Sequence, residues 1–236
     1  MGNNTSSNSN SIPLDDTPAT TLFKQVTYRI PALIYICAEQ TYLAFAEQRK
    51  TPKDIDADVL VMRRGLWKND KKEVEWDSGH QVLDKACLPG HRSMNPCPVY
   101  EKNSKTLFLF FICIPIGVSE DQQKKEKKNQ AKLCYITSKD TGRSWSDVTN
   151  LKHVISEKEK NWATFAVGPG HGVQMKNGRL IIPAYAYYIK SKCCSSCCSS
   201  CCSSCCCLVS RAFAFYSKDE GSTWNVGEQM EGESGE

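Results

Sequence analysis

The chain has 236 residues, of which 40% are hydrophobic, and this is enough for one large β domain or two small ones. Its mean hydropathy of −0.45 and the lack of a long apolar run exclude a transmembrane helix. The first twenty residues have no apolar core, so we expect no secretory signal. The net charge of +4 is mild and no basic run alternates with aromatics, which does not indicate a nucleic-acid partner.

Residues 1–22 are polar and rich in Asn, Ser and Thr, so we expect a disordered tail there. The first six residues, MGNNTS, fit the short pattern for N-myristoylation, which would attach an acyl chain to Gly2. The pattern also occurs by chance, and a single myristoyl chain holds a membrane only weakly. Acylation of Gly2 and an unmodified tail therefore both stay open.

From residue 23 onward, short apolar runs alternate with turn residues, which is typical of an all-β fold. The clearest predicted strands are residues 29–36, 41–47, 58–63, 106–112 and 133–137. Asn177 and Gly178 separate two further apolar runs, which is a strong hairpin signal. Only residues 119–131 and 156–160 have helical character.

One turn motif, Ser-x-Asp-x-Gly-x-(Ser/Thr)-Trp, occurs twice, each time after an apolar run. Its Asp can accept backbone N–H groups, its Gly can adopt positive φ, and its Trp can anchor the next strand. A hairpin that recurs indicates a repeat architecture built of β-sheets. We assign a structural role to the motif residues Ser138, Asp140, Gly142, Trp145, Ser217, Asp219, Gly221 and Trp224.

The chain contains fourteen cysteines, and nine of them lie in a low-complexity Cys/Ser insertion at residues 193–207. Palmitoylation or adventitious metal binding are functional interpretations of this insertion. We favour a tolerated loop insertion or an artefact of repeat expansion or of the gene model, because loop insertions cost little stability. Five scattered cysteines are expected to be buried, reduced thiols: Cys37, Cys87, Cys97, Cys113 and Cys134.

Three charged residues stand at the ends of predicted strands. Arg29 begins an apolar strand, Arg49 ends another, and Asp54 follows Arg49 five residues later. Two arginines and an acid could line the mouth of a β domain, where the planar guanidinium suits a carboxylate or a phosphate. The alternative is that they are ordinary surface residues, as most single arginines are.

Several long motifs resemble the animal exo-α-sialidases: YRIPAL, AFAEQR, GHRSMNPCP, WATFAVGPGHG and the two Asp-containing turns. Within that family the chain looks most like the membrane-associated branch that acts on gangliosides. The resemblance runs from about Tyr28 to the end, except for the Cys/Ser insertion. It implies a six-bladed β-propeller that removes terminal sialic acid from glycolipids and glycoproteins without a cofactor or metal. It also implies a peripheral location at the plasma membrane or an endomembrane, and in the cytoplasm.

The resemblance implies roles for individual residues. Arg29 falls on the first of three arginines that bind the carboxylate of the sugar, and Arg49 on a further arginine of the active site. Asp54 falls on the general acid/base, which would protonate the leaving oxygen. The other pocket positions fall on Met94, Asn95, Glu120, Tyr185 and Tyr187. In this family a tyrosine replaces the usual carboxylate nucleophile, which avoids repulsion with the anionic sugar.

The sequence departs from the family pattern in one respect. The second and third arginines and the nucleophilic tyrosine of the family fall after residue 236, and Glu236 aligns with the glutamate that serves the tyrosine as a base. At roughly 50 residues a blade, about the first four blades are present in residues 23–236. We therefore expect a sialidase by family whose 236-residue product is inactive or nearly so. The alternative is a truncated sialoglycan-binding fragment without activity.

Overall fold

The computed structural model describes residues 20–24, 26–190 and 208–230. Three antiparallel sheets follow one another along these residues, and each is built from strands that are consecutive in sequence. The predicted tail, Gly2, the Cys/Ser insertion and Glu236 lie outside the described residues. Among the residues described, no helix is long and apolar enough to cross a membrane.

The first sheet pairs β1 to β4 in sequence order, with β5 added beside β3. Its strands are β1 (Thr27–Ile36), β2 (Thr41–Arg49), β3 (Ala57–Lys68), β4 (Glu73–Trp76) and β5 (Gln81–Val82). Side chains alternate between the two faces of a strand. In β1, Ala32 and Ile34 are accordingly buried, whereas Leu33 and Tyr35 are exposed.

The second sheet pairs β6 to β9 in sequence order. Its strands are β6 (His91–Glu101), β7 (Thr106–Pro115), β8 (Lys132–Ser138) and β9 (Thr149–Asn150). Helix α1 (Glu120–Glu126) lies between β7 and β8, and Ser119 caps it by accepting the backbone N–H of Gln122. Helix α2 (Lys152–Ile155) follows β9.

The third sheet pairs β10, β12, β13 and β14, with β11 beside β12. Its strands are β10 (Trp162–Val167), β11 (Val173–Gln174), β12 (Leu180–Ile189), β13 (Leu208–Ser217) and β14 (Asn225–Val226). The hairpin predicted at Asn177 and Gly178 is confirmed, since it joins β11 to β12 and Gly178 has a φ of 83°. The all-β prediction is confirmed as well.

Two hydrophobic cores lie between the sheets. The core between the first and second sheets contains Phe45 and Met62 from one side and Phe111 from the other. The core between the second and third sheets contains Phe110 and Phe215. Burying an aliphatic or aromatic side chain of this size contributes about 1.5–3 kcal/mol, so these two interfaces hold the sheets face to face.

Both copies of the turn motif close a hairpin between the last two strands of a sheet. In the second copy, Ser217 donates to the carboxylate of Asp219 at 2.7 Å and accepts the N–H of Gly221 at 2.9 Å. Asp219 also accepts the N–H of Thr223 at 2.9 Å. The first copy repeats these bonds from Ser138 and Asp140. The side chains of the motif thus satisfy the backbone of their own turn.

The glycine of each motif copy lies against the preceding sheet. Gly142 and Gly221 have φ values of 81° and 89°, which side chains other than glycine rarely adopt. A Cβ atom on Gly142 would lie 2.9 Å from Met62 in the first sheet. A Cβ atom on Gly221 would lie 2.3 Å from the ring of Phe108 in the second sheet. Each motif therefore packs its turn onto the sheet before it.

The described residues form three sheets, whereas the sequence predicted about four blades. That prediction assumed roughly 50 residues a blade. The first strands of the three sheets begin at residues 27, 91 and 162, which is a wider spacing. Long connections between the strands, including α1 and α2, account for the difference. The count of six blades for the whole fold stays a prediction.

The scattered cysteines divide by position. Those in strands of the second sheet are buried free thiols: Cys97, Cys113 and Cys134. Cys87 is half-buried. The prediction of burial is wrong for Cys37, which is exposed in the turn between β1 and β2.

Candidate active site

One pocket is lined by strands from all three sheets. Its lining residues are Ile30, Arg49, Asp54, Met94, Asn95, Ile112, Ile114, Glu120, Thr164, Phe165, Ala166 and Tyr185. Six of the pocket positions that the sequence predicted therefore lie together: Arg49, Asp54, Met94, Asn95, Glu120 and Tyr185. These residues are distant in the sequence, so only the packing of the three sheets brings them to one place.

Arg49 is a buried cation at the pocket wall, with 2% of its surface exposed. Its Nε donates to Glu47 at 2.7 Å, and its Nη2 forms an ion pair with the same carboxylate. Its Nη1 lies 3.0 Å from a carboxylate oxygen of Asp54 and donates to the carbonyl of Pro52 at 3.2 Å. A buried charge needs such partners, because the loss of hydration is costly.

Asp54 occupies the short segment between β2 and β3, where a single 3₁₀ turn covers Asp54–Asp56. Its side chain keeps 37% of its surface exposed although it pairs with Arg49. The carboxylate is therefore held in place by one cation and still open to a ligand in the pocket. Such an arrangement suits a group that exchanges a proton with a bound molecule.

Glu47 is a functional candidate that the sequence analysis did not single out. Its carboxylate is fully buried, binds Arg49, and accepts the backbone N–H of Asn95 at 2.6 Å. Burial raises the pKa of Glu47 above its usual range, although Arg49 and the N–H of Asn95 act in the opposite direction. The signal in the sequence was an acid two residues before Arg49 in an otherwise apolar strand, where both must face the same side.

Two backbone irregularities aim residues into the pocket. Asn95 has a φ of 58°, and the pairing of β6 with β7 shifts register between Met94 and Cys97. Ile30 has a φ of 50°, and the pairing of β1 with β2 shifts between Arg29 and Ala32. Bulges are common beside active sites, because they redirect side chains and end regular pairing. A left-handed φ is rare for a β-branched residue such as Ile30, so the surrounding structure must impose it.

Arg29 and Tyr187 lie beside the pocket rather than in its lining. Arg29 is exposed and stands opposite Glu47 in the register of β1 and β2. Tyr187 is half-buried, and the ammonium of Lys124 lies 3.6 Å from the centre of its ring. Lys124 also forms an ion pair with Glu120, so this lysine connects helix α1 to β12 at the rim of the pocket.

Arg92 is a second residue that sequence reasoning missed, although it lies in the motif GHRSMNPCP. It is buried in β6, and its Nε donates to the carbonyl oxygen of Asp54 at 3.3 Å. Burial lowers its pKa, whereas Asp54 and Glu47 raise it. A charged residue inside a strand that is otherwise buried was the only signal available. Across the described ranges, no group of His, Cys, Asp or Glu has the arrangement of a metal site.

A family model described as "BNR repeat-like domain" matches residues 40–236, which is most of the chain. The chain belongs to the BNR repeat-like domain family. Among curated relatives, mouse sialidase-3 is 48% identical over 220 residues, which cover 90% of this chain and 50% of the relative. Sialidase-2 of Cricetulus griseus is 44% identical over 212 residues, which cover 88% of this chain and 52% of the relative. The chain thus spans about half the length of the curated relatives it matches.

Solved structures show the same fold for this BNR repeat-like chain. A Hadza microbial sialidase superimposes with a TM-score of 0.61 at 20% identity, covering 86% of this chain and 37% of that one. Trypanosoma rangeli sialidase in complex with the inhibitor DANA gives a TM-score of 0.57 at 16% identity, covering 87% and 31%. The resemblance to animal sialidases that the motifs indicated is confirmed by the relatives. The roles of the individual pocket residues stay predictions.

Proposed function

We propose that this protein is an exo-α-sialidase, a glycoside hydrolase that removes terminal sialic acid from glycolipids and glycoproteins. The observation that carries the proposal is the ion pair of Arg49 and Asp54 at the wall of a pocket formed by three sheets. The sialidase names of the relatives support it. Sialic acid carries a carboxylate, and an anionic sugar is attracted to a pocket with a buried guanidinium.

Proton transfer falls to Asp54 in this proposal. Its carboxyl lies in the pocket wall and is 37% exposed, so it can reach the oxygen of the leaving group. Arg49 fixes its orientation through a 3.0 Å contact. The transition state of such a reaction resembles an oxocarbenium ion, and a tyrosine serves as nucleophile in a retaining mechanism. The resemblance assigns Glu236 as the base of that tyrosine.

In this proposal the other residues that line the pocket bind the sugar. Tyr185 and Met94 supply apolar contact area, and Glu120 and Asn95 supply polar groups for hydroxyl and acyl substituents. Arg29 lies one residue from Ile30 of the lining, is exposed, and carries the planar guanidinium donors that suit a carboxylate. These steps are carried out by side chains, and the proposal calls for no metal or cofactor.

We infer that the substrates include gangliosides and that the protein acts at the plasma membrane or an endomembrane, as well as in the cytoplasm. The motifs shared with the membrane-associated sialidase branch support this inference, and acylation of Gly2 would add a weak anchor. These motifs include GPGHG, which precedes β11, and PAYAYYI within β12.

A second candidate function is sialoglycan binding without hydrolysis. It is favoured by the contacts of Arg49, because its three side-chain nitrogen atoms already have partners in Glu47, Pro52 and Asp54. A sugar carboxylate would then need donors from Arg29 or from residues outside the described pocket. We accordingly expect slow hydrolysis by the 236-residue chain.

Release of a fluorophore from a sialoside by the purified chain separates the two functions. The test variant is Asp54→Asn, and the matched control is Asp70→Asn in the exposed turn between β3 and β4. Slow release that only Asp54→Asn abolishes supports the sialidase. Binding of sialic acid that Arg29→Met abolishes, without any release, supports the binding protein. A chain that neither binds nor cleaves the sialoside contradicts both.

A further inference from the structure

We propose that Arg92 is a positioning residue that holds the segment of Asp54 over the pocket by binding its backbone from the neighbouring sheet. Arg92 belongs to β6 of the second sheet, whereas Asp54 lies between β2 and β3 of the first. The catalytic consequence of this contact rests on the proposed function. The contact itself and its effect on the segment do not depend on the proposed function.

The guanidinium of Arg92 connects two loops that carry site residues. Its Nε donates to the carbonyl of Asp54 at 3.3 Å, and its Nη1 donates to the carbonyl of Pro115 at 3.1 Å. Pro115 ends β7 and leads, through a short turn, to the capped start of α1 and Glu120. One planar group with donors in a fixed geometry thus binds the backbone of the Asp54 segment and of the last residue of β7.

The segment at residues 50–56 has few other attachments to the fold. Most of its residues are exposed, and its own backbone bonds join Lys50 to Asp56 and Asp56 to Lys53. The other side-chain contact to it from a buried residue is that of Arg49, which lies in the strand directly before it. Among the described residues, Arg92 is therefore the tie that fixes this segment to a different sheet.

The charges around Arg92 fit a positioning role. Asp54, Glu47 and Asp56 favour its positive charge, whereas burial and Arg49 oppose it. A guanidinium stays protonated near neutral pH, so Arg92 keeps its charge and its donors for this contact. Its Nη2 is buried and has no hydrogen-bond partner among the residues described. An unpaired buried donor is costly, so Arg92 is not the residue that stability alone would select at this position.

Hydrogen–deuterium exchange of the backbone at residues 50–56 tests the proposal without any need for activity. The first variant, Arg92→Gln, removes the charge and the planar set of guanidinium donors. The second, Arg92→Lys, keeps the charge and can replace only one of the two hydrogen bonds to the backbone. We expect exchange at residues 50–56 to rise about tenfold in Arg92→Gln and less in Arg92→Lys, because local opening becomes easier. Exchange in β6 and β7 should not change.

The control is Arg179→Gln in the turn before β12, because Arg179 also has a buried nitrogen without a partner among the described residues and lies outside the pocket. It should leave exchange at residues 50–56 unchanged. Equal exchange in wild type and both Arg92 variants would overturn the proposal. A rise spread evenly over β6, β7 and the segment would also overturn it, since that result indicates a purely structural residue. If Arg92→Gln does not fold, Arg92→Lys carries the test.

Kinetics add a second measurement where the wild type cleaves a sialoside. We expect kcat of Arg92→Lys to fall by about 10- to 100-fold with little change in KM, because a misplaced acid slows chemistry more than binding. A rise in KM alone would contradict the positioning role. An inactive wild type with faster exchange in Arg92→Gln would argue against hydrolysis by this chain and would still support the positioning role of Arg92.

Discussion

Replacing Gly221 with alanine tests how the turn motif docks onto the preceding sheet. The added Cβ would lie 2.3 Å from Cζ of Phe108 and 3.0 Å or less from two neighbouring ring atoms. Phe108 cannot easily move, because it is 5% exposed and packs edge-on against Tyr135 and Trp224 at centroid distances of 5.6 Å. The backbone adds a second penalty, since Gly221 has a φ of 89°.

The two penalties give the expected size of the effect. A left-handed φ costs a residue with a side chain about 1–2 kcal/mol, and overpacking a filled interface costs about 1–3 kcal/mol. We expect Gly221→Ala to lower the free energy of unfolding by about 2–5 kcal/mol in urea denaturation. That is a large part of the roughly 5–15 kcal/mol that stabilises a typical domain.

Two other glycines separate the penalties. Gly178 has a φ of 83° but open space around it, so Gly178→Ala should show the backbone cost alone. Gly79 has open space and no positive φ, so Gly79→Ala should be close to neutral. Adding Phe108→Leu to Gly221→Ala should recover part of the free energy of unfolding that Gly221→Ala loses. A Gly221→Ala variant no less stable than Gly178→Ala would refute the docking argument.

Two further outcomes are expected from single substitutions. The hydrogen bonds that Asp219 accepts from the side chain and backbone of Thr223 lower its pKa to about 2, so its contribution to stability is present above its ordinary pKa and is lost as pH falls towards 2. The free energy of unfolding should therefore decrease less steeply between pH 4 and pH 2 for Asp219→Asn than for wild type. Equal slopes for the two proteins would contradict this. Lys124→Gln should cost about 0.5–1 kcal/mol in urea denaturation through the loss of its contacts with the ring of Tyr187 and with Glu120. The exposed neighbour Lys125 should be replaceable by Gln at no cost, and equal effects of the two would argue against the contact.

Local patterns in the sequence were enough to predict the strands and the turns. The Asn177 and Gly178 hairpin and the two Asp-containing turns depend on residues that are adjacent in the chain, so their chemistry is readable directly. Six pocket residues were also predicted, because the resemblance to a known family implies their positions. The number of sheets could not be predicted in this way, because the length of the connections between strands is not encoded in any local pattern.

The residues that were missed depend on contacts between distant parts of the chain. Glu47 is a site residue because a bulge in β6 turns the N–H of Asn95 towards it. Arg92 matters because the second sheet packs where its guanidinium reaches the carbonyl of Asp54. Neither the bulge nor the packing can be predicted from the strand pattern alone. The left-handed φ of Ile30 is a similar case, since its own sequence argues against that conformation.

The central claim is that the pocket of Arg49 and Asp54 binds sialic acid. Methyl NMR during titration with sialic acid tests it most directly, because three isoleucines and one methionine line the pocket: Ile30, Ile112, Ile114 and Met94. We predict that sialic acid shifts these signals, that neutral galactose does not, and that Arg49→Met removes the effect. Shifts confined to methyl groups elsewhere, or the same response to galactose, would contradict the claim.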